Sequence, residues 1–253
     1  MSRDALARSL TLRYGVEVPR LVESLDDLDL ELLATRAGEA LSEARALDIV
    51  RWAALVFGDA LTVASSMSDG VVAHLASRAL PGVPVVFLDT GVHFAETLGT
   101  RDAVVSQYPV RLVNATPSLS LAEQADRFGA NLWLTDPDAC CKLRKVDVLR
   151  RALKPYRAWV TGLRGDETPD RVGTPVVLWD AKRRMVKINP IARWSTDEVR
   201  VYIDRHQVLV NPLQQLGYRS IGCAPCTRPV SAGQSDRAGR WAGRDKVECG
   251  IHA

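Results

Sequence analysis

From residue 60 onward the chain alternates short apolar runs with stretches of helical length, and this alternation limits the fold more than any other feature. Residues 60–65, Val83–Leu88 (VPVVFL), 110–113 and Ala158–Thr161 read as buried strands. Between them, helices are expected at residues 68–80, stopped by Pro81-Gly82, and at about residues 94–107. Ser120-x-x-Glu123 is a capping box opening a helix that ends at Gly129, and Ser195-x-x-Glu198 opens another to about His206. Residues 140–153 should be helical, and residues 176–180 and Met185–Ile188 flank a polar AKRR turn as a hairpin. Strands separated by helices pair in parallel and are covered from both sides. The expectation is therefore an α/β fold, a mostly parallel twisted sheet with helices on both faces. Residues 1–38, with an acidic stretch at 23–31, should form one or two short helices. Residues 39–57 read as one helix, with Ala40, Ala44, Leu47, Ala54 and Leu55 on one face and Gly58 as the stop. Beyond Asn211 the chain is rich in Gly, Pro, Ser and Arg and reads as a flexible C-terminal tail or a segment ordered by a ligand.

Ligands of such sheets sit beyond the carboxyl ends of the strands. Two turns qualify. SSMSDG follows the first core strand, and its Ser65, Ser66, Ser68 and Asp69 would present hydroxyls and a helix N-terminus to an anion. DTGVHF follows the second, where Asp89 could accept from a ribose hydroxyl or an adenine amine; the bland alternative is a helix cap beside a satisfied His93. No GxxxxGK[ST] or GxGxxG occurs, so a Walker-type NTPase or a dinucleotide fingerprint is unsupported.

All five cysteines lie in the second half: Cys140, Cys141, Cys223, Cys226 and Cys249. The adjacent pair and the Cys-x-x-Cys pair form a two-plus-two set able to close a tetrahedral zinc site or a 4Fe–4S cluster. An adjacent arm is unusual for zinc, which favours iron–sulfur, although spacing alone leaves both open. Cys249 stands apart near the chain's end, where Arg237, Arg240 and Arg244 would lower its pKa and favour a nucleophile; His252 could assist it. Net charge is only +3, yet residues 142–157 carry seven basic groups against one acid, and residues 219–246 carry six against two. Positive charge thus gathers beside the cysteines, as an anionic ligand requires. The N-terminus lacks an apolar signal segment and no run approaches a membrane span, so a cytoplasmic, reducing setting without membrane contact is expected.

Together, FLDTGVHFAET, ACCKLRKV, WVTGLR, Pro190-x-x-x-Trp194, LVNPL, IGCAPCTRPV, GRW and the terminal ECGIHA resemble the assimilatory adenylyl-sulfate (APS) reductases of the bacterial iron–sulfur type, most closely their actinobacterial members. The resemblance implies an adenine-nucleotide α-hydrolase-like (PP-loop-related) fold and reduction of APS to sulfite and AMP by thioredoxin, in sulfate assimilation toward cysteine. It further implies that Cys140, Cys141, Cys223 and Cys226 hold a 4Fe–4S cluster and that Cys249 forms an S-sulfocysteine. Lys145 would link cluster and substrate electrostatically, while Arg171, Arg237 and Arg240 would contact phosphate and sulfate. SSMSDG departs from the superfamily's SGGxDS loop, which suits a substrate without a pyrophosphate leaving group.

On this reading residues 1–253 are one α/β domain. Its parts are an N-terminal helical part (1–58), a nucleotide-binding core (59–210) and a cluster-binding arm with the catalytic tail (211–253). The partners implied are APS and reduced thioredoxin or a similar thiol donor, with a homo-oligomer left open. Rivals are a reductase of the 3′-phosphorylated nucleotide (PAPS), a PP-loop tRNA-thiolating enzyme, and a zinc-bearing nucleic-acid-binding module. The last is disfavoured by 6% aromatic residues and no recognised nucleic-acid motif, so no nucleic-acid partner is expected.

Overall fold

The computed structural model describes residues 2–19, 22–246 and 248–252; residue 253, which closes the ECGIHA motif, lies outside the described residues. Six strands form one sheet: β1 (Leu61–Ala64), β2 (Val83–Leu88), β3 (Val110–Ala115), β4 (Ala158–Thr161), β5 (Val177–Asp180) and β6 (Met185–Ile188). Their order is β3-β2-β1-β4-β6-β5. Every neighbouring pair is parallel except the β5–β6 hairpin, in which Val177 faces Ile188 and Asp180 faces Met185. Successive strands leave β1 in opposite directions, β2 to one side and β4 to the other. That reversal opens a crevice beyond their carboxyl ends.

Strand pleat divides the apolar residues between two layers. Val85 and Phe87 of β2, Val160 of β4 and Ile188 of β6 join the larger core, with Trp52 and Phe57 of α3 (Ala46–Phe57) and Leu75 of α4 (Val71–Ala79). Val86, Trp159 and Met185 point to the other face, beneath Leu149 and Leu153 of α9 (Asp147–Leu153). α2 (Asp27–Ala40) runs against β5 so closely that a Cβ on Gly38 would lie 2.4 Å from the Val177 carbonyl oxygen. α5 (Ala95–Gln107), α6 (Leu121–Phe128) and α10 (Thr196–His206) complete the alternation, and both serine capping boxes form as expected.

Three elements differ from expectation. The N-terminal part holds two substantial helices, α1 (Arg3–Tyr14) and α2, the latter opened by a capping box between Asp26 and Asp29. An Asp in place of the usual Glu or Gln at the third position hides that signal. The helix expected over residues 39–57 is two helices, because α2 ends at Ala40 and α3 begins at Ala46 after extended Arg45. The helix expected over residues 140–153 begins earlier, as α7 (Leu132–Thr135) and α8 (Pro137–Cys141), and widens into a π turn at Lys142–Val146 before α9. Pro137 at a first-turn position and the Asp136 carboxylate, which accepts from Ala139 N at 2.9 Å, set the start of α8.

Because Leu149 is fully buried between α9 and the sheet, Leu149→Ala should lower the unfolding free energy by about 2–5 kcal/mol, read from urea unfolding.

Candidate active site

The β1–α4 turn owes its shape to distant residues. Met67 is buried at φ 58°, a left-handed conformation costing a non-glycine residue about 1–2 kcal/mol. Ser65 Oγ accepts from Met67 N at 3.3 Å, and the fully buried Asn211 donates Nδ2 to Met67 O at 3.2 Å and to Thr97 Oγ1 at 3.1 Å. Ser68 is held by Gln214, whose Nε2 donates to its carbonyl (2.8 Å) and hydroxyl (3.2 Å). Asp69 turns inward, accepting from Val71 N at 3.0 Å, and its burial raises its carboxyl above the ordinary range. Ser66 is exposed. Asp89 faces β3: it accepts from Gly91 N (3.1 Å) and Asn114 Nδ2 (3.4 Å) and pairs with Arg101 at 3.7 Å. It caps no helix, since α5 starts after Phe94. His93 Nε2 meets the Leu88 carbonyl at 2.8 Å, while burial lowers its pKa.

Cys140, Cys141, Cys223 and Cys226 line one cavity together with Val92, Trp133, Pro137, Arg144 and Lys145. None is in a disulfide, and the first three are buried. Burial, with Cys141, Cys223 and Cys226 close by, pushes the Cys140 thiol up to about 12. Burial likewise pushes Cys141 up to about 11 against the pull of Lys145. Among the described residues no three His, Cys, Asp or Glu side chains converge as ligands of a single metal ion. Behind the cavity, Thr90 Oγ1 lies 3.3 Å from Cys223 Sγ, and Arg144 donates to Thr90 O at 2.6 Å and Gln124 Oε1 at 2.9 Å. Lys145 lies among the sulfurs. Its burial favours the neutral amine, but Cys223, Cys249 and Cys141 hold it above its ordinary value.

The tail expected to be flexible is docked. Trp241, buried, donates its backbone N–H to Cys226 O at 3.0 Å, and Arg244 and Lys246 bond Leu134 O of α7 and Asp138 of α8. Arg240 lies over Gly222, where a Cβ would be 2.4 Å from its Nη2; among the described residues its buried Nε has no hydrogen-bond partner. Arg171, already paired with Glu167, and Arg237 both reach Glu248, at 2.7 and 3.3 Å. Cys249 is half-buried, Gly250 turns the chain at φ 78°, and Ile251 packs on the α9 face. His252 stacks on Trp159, ring centroids 6.0 Å apart and 17° between planes. Burial, reinforced by Lys187, Arg171, Arg183 and Arg237, lowers the His252 imidazole well below its ordinary value. It can act as a base or acceptor but is not a resident cation.

Sequence patterning missed Arg164, Glu167, Lys187, Asn211 and Glu248. Arg164 pairs with Asp166 at 3.1 Å at the end of WVTGLR. Lys187 on β6 lies 5.3 Å from the Trp159 ring centre, and burial, aided by Arg183 and Arg171, pulls it down to about 8. The one available signal was position: both stand at or just past a strand's carboxyl end.

Sheet order and crevice define an α/β protein of the adenine-nucleotide α-hydrolase-like, PP-loop-related class. Candida glabrata FMN adenylyltransferase shares that fold alone (11% identity, TM-score 0.54, 97% of this chain and 83% of that one). The chain belongs to the phosphoadenosine phosphosulfate reductase domain family, whose model matches residues 60–229. It is 59% identical over 224 residues to adenosine 5′-phosphosulfate reductase of Streptomyces coelicolor, covering 88% of this chain and 95% of that one. Identity is 50%, with the same coverage, to the adenosine 5′-phosphosulfate reductase of Mycolicibacterium smegmatis. The phosphoadenylyl-sulfate (PAPS) reductase of Candida auris, solved as a phosphate complex, matches with 27% identity and TM-score 0.64, covering 81% and 98% of the two chains.

The lowered pKa of His252 has a pH consequence. Docking favours the neutral ring, so it is fully supported above the free imidazole pKa of about 6.5 and is lost as pH falls toward the docked value. His252→Phe keeps the stack without the titration. The ratio of its single-turnover rate to wild type should therefore rise between pH 7.5 and 5.5; a flat ratio contradicts the coupling.

Proposed function

We infer that the chain is an adenosine 5′-phosphosulfate reductase, reducing APS to sulfite and AMP in sulfate assimilation. The observation that carries this is its 59% identity to a protein of that name across 88% of the chain. The docked terminal thiol among fixed cations supplies supporting chemistry.

Cys249 is the nucleophile. Its thiolate attacks the sulfate sulfur, an S–S bond forms, and the bond from sulfur to the bridging phosphate oxygen breaks, releasing AMP. A dithiol donor of the thioredoxin kind then attacks Cys249 Sγ and expels sulfite. Its second thiol resolves the mixed disulfide, so the two electrons come from the donor, which leaves as a disulfide. Both reactants of the first step are anionic, so approach and transition state need fixed positive charge. Arg171, Arg237, Arg240 and Lys145 provide it, and Arg237→Ala should lower kcat/KM by roughly 10²–10³-fold. Ser65, Ser66, Ser68 and Asp69 border the nucleotide crevice. Asp89 takes a structural share through Arg101 and Asn114, and His252 acts as a neutral neighbour of Cys249.

Four thiols of one donor type line the same cavity, a set that suits an iron–sulfur cluster. Cys140, Cys141, Cys223 and Cys226 would hold a 4Fe–4S cluster, which would offset part of the charge of the buried thiolates and set the field at Lys145. Among the described residues no helix is long and apolar enough to cross a membrane.

The chain should release sulfite from APS with reduced thioredoxin, and PAPS turnover should be clearly lower. Equal or better PAPS turnover favours the rival reductase, and no sulfite from either refutes the assignment. Cys249→Ser should abolish sulfite release while keeping about four irons per chain and the yellow-brown colour. A colourless, zinc-loaded protein overturns the cluster.

A further inference from the structure

The AKRR turn is exposed in its lysine but not in Arg183, whose side chain is only 9% accessible. Arg183 pairs with Asp180 at 2.8 Å within the hairpin turn. That pairing fixes its guanidinium, which lies 5.3 Å from the Trp159 ring centre and donates Nη2 to the Ile251 carbonyl at 2.7 Å. The hydrogen bond spans 68 residues and ends two positions from Cys249. On the same ring sits His252, and Ile251 packs on the cluster formed by Val86, Leu149, Leu153, Trp159 and Met185. The hairpin turn and Trp159 thus form a receptor for the last residues of the chain.

We propose that Arg183 is a positioning residue: with Trp159 it clamps the Ile251–His252 terminus, and so sets where Cys249 stands relative to Lys145 and the arginines. Glu248 on Arg171 and Arg237 anchors the segment on one side of Cys249, and the Arg183 clamp anchors it on the other. Gly250, at φ 78°, makes the turn between the two anchors. The clamp acts on the first half of the reaction, in which Cys249 must be held against the substrate. The second half requires the sulfur to meet a protein-sized donor and proceeds from the released terminus. Holding and releasing are opposed demands, so weakening the clamp should affect the two halves differently.

This inference rests on the proposed role of Cys249, and its test includes a readout independent of APS. Iodoacetamide labelling of Cys249, followed by mass spectrometry of the terminal peptide, measures how often the segment opens. Arg183→Ala should raise that rate roughly tenfold, corresponding to about 1.4 kcal/mol. Deletion of residues 251–253 leaves the hairpin untouched and, because it also removes the Ile251 packing and the His252 stack, should raise it at least as much; adding Arg183→Ala to the deletion should add nothing further. Arg183→Lys should restore most of the protection. In single turnover, Arg183→Ala should slow adduct formation on Cys249 about tenfold, while donor cleavage of a preformed adduct is not slowed. Unchanged labelling in Arg183→Ala, or additive effects of the variant and the deletion, overturns the clamp. Equal slowing of both half-reactions also overturns it, since that is what a merely structural residue would do. Failure of wild type to release sulfite from APS instead overturns the assigned activity and leaves the labelling result standing.

Discussion

The docking of Glu248 onto Arg171 and Arg237 is the contact on which the site depends, because it ties the segment that carries Cys249 to the cationic groups Arg171 and Arg237. Arg171 lies in the loop after β4 and Arg237 in the tail, so a single carboxylate joins core and tail beside Cys249. Two guanidinium groups facing one carboxylate also form an anion receptor.

The docked segment is held by few contacts: the Ile251 carbonyl on Arg183, the His252–Trp159 stack, the Ile251 packing and the ion pairs of Glu248 with Arg171 and Arg237. Against them stands the backbone entropy of ordering the segment, about 1–2 kcal/mol for each residue. Loss of a single contact is therefore a large fraction of what holds it.

Local signals were legible and distant ones were not. VPVVFL and the Ser120 and Ser195 capping boxes need only neighbours within a few residues, and strand and helices formed where expected. The break between α2 and α3 has no glycine or proline to mark it. The π turn at Lys142–Val146 has no compositional signature, although it carries Arg144 and Lys145 to the cysteines. Asp89 read as a helix cap or a nucleotide contact, and neither reading found Arg101 and Asn114, which engage it from α5 and β3. The gathering of Cys140, Cys141, Cys223 and Cys226 in one cavity was legible by spacing, whereas the contacts of Glu248 were not: its partners lie 77 and 11 residues away. The tail read as flexible because its composition is glycine-rich. Its order comes from arginines that bond carbonyls and carboxylates of the core, and composition does not report such bonds.

The central claim is that Cys249 takes the sulfur from the nucleotide. The most direct measurement is mass spectrometry of the terminal peptide after anaerobic incubation with APS and no thiol donor. The account predicts a peptide heavier by one SO₃, localised to Cys249, with AMP released in equal amount and the adduct lost as sulfite when donor is added. AMP and sulfite appearing without any adduct on Cys249, or an adduct on another cysteine, would contradict it.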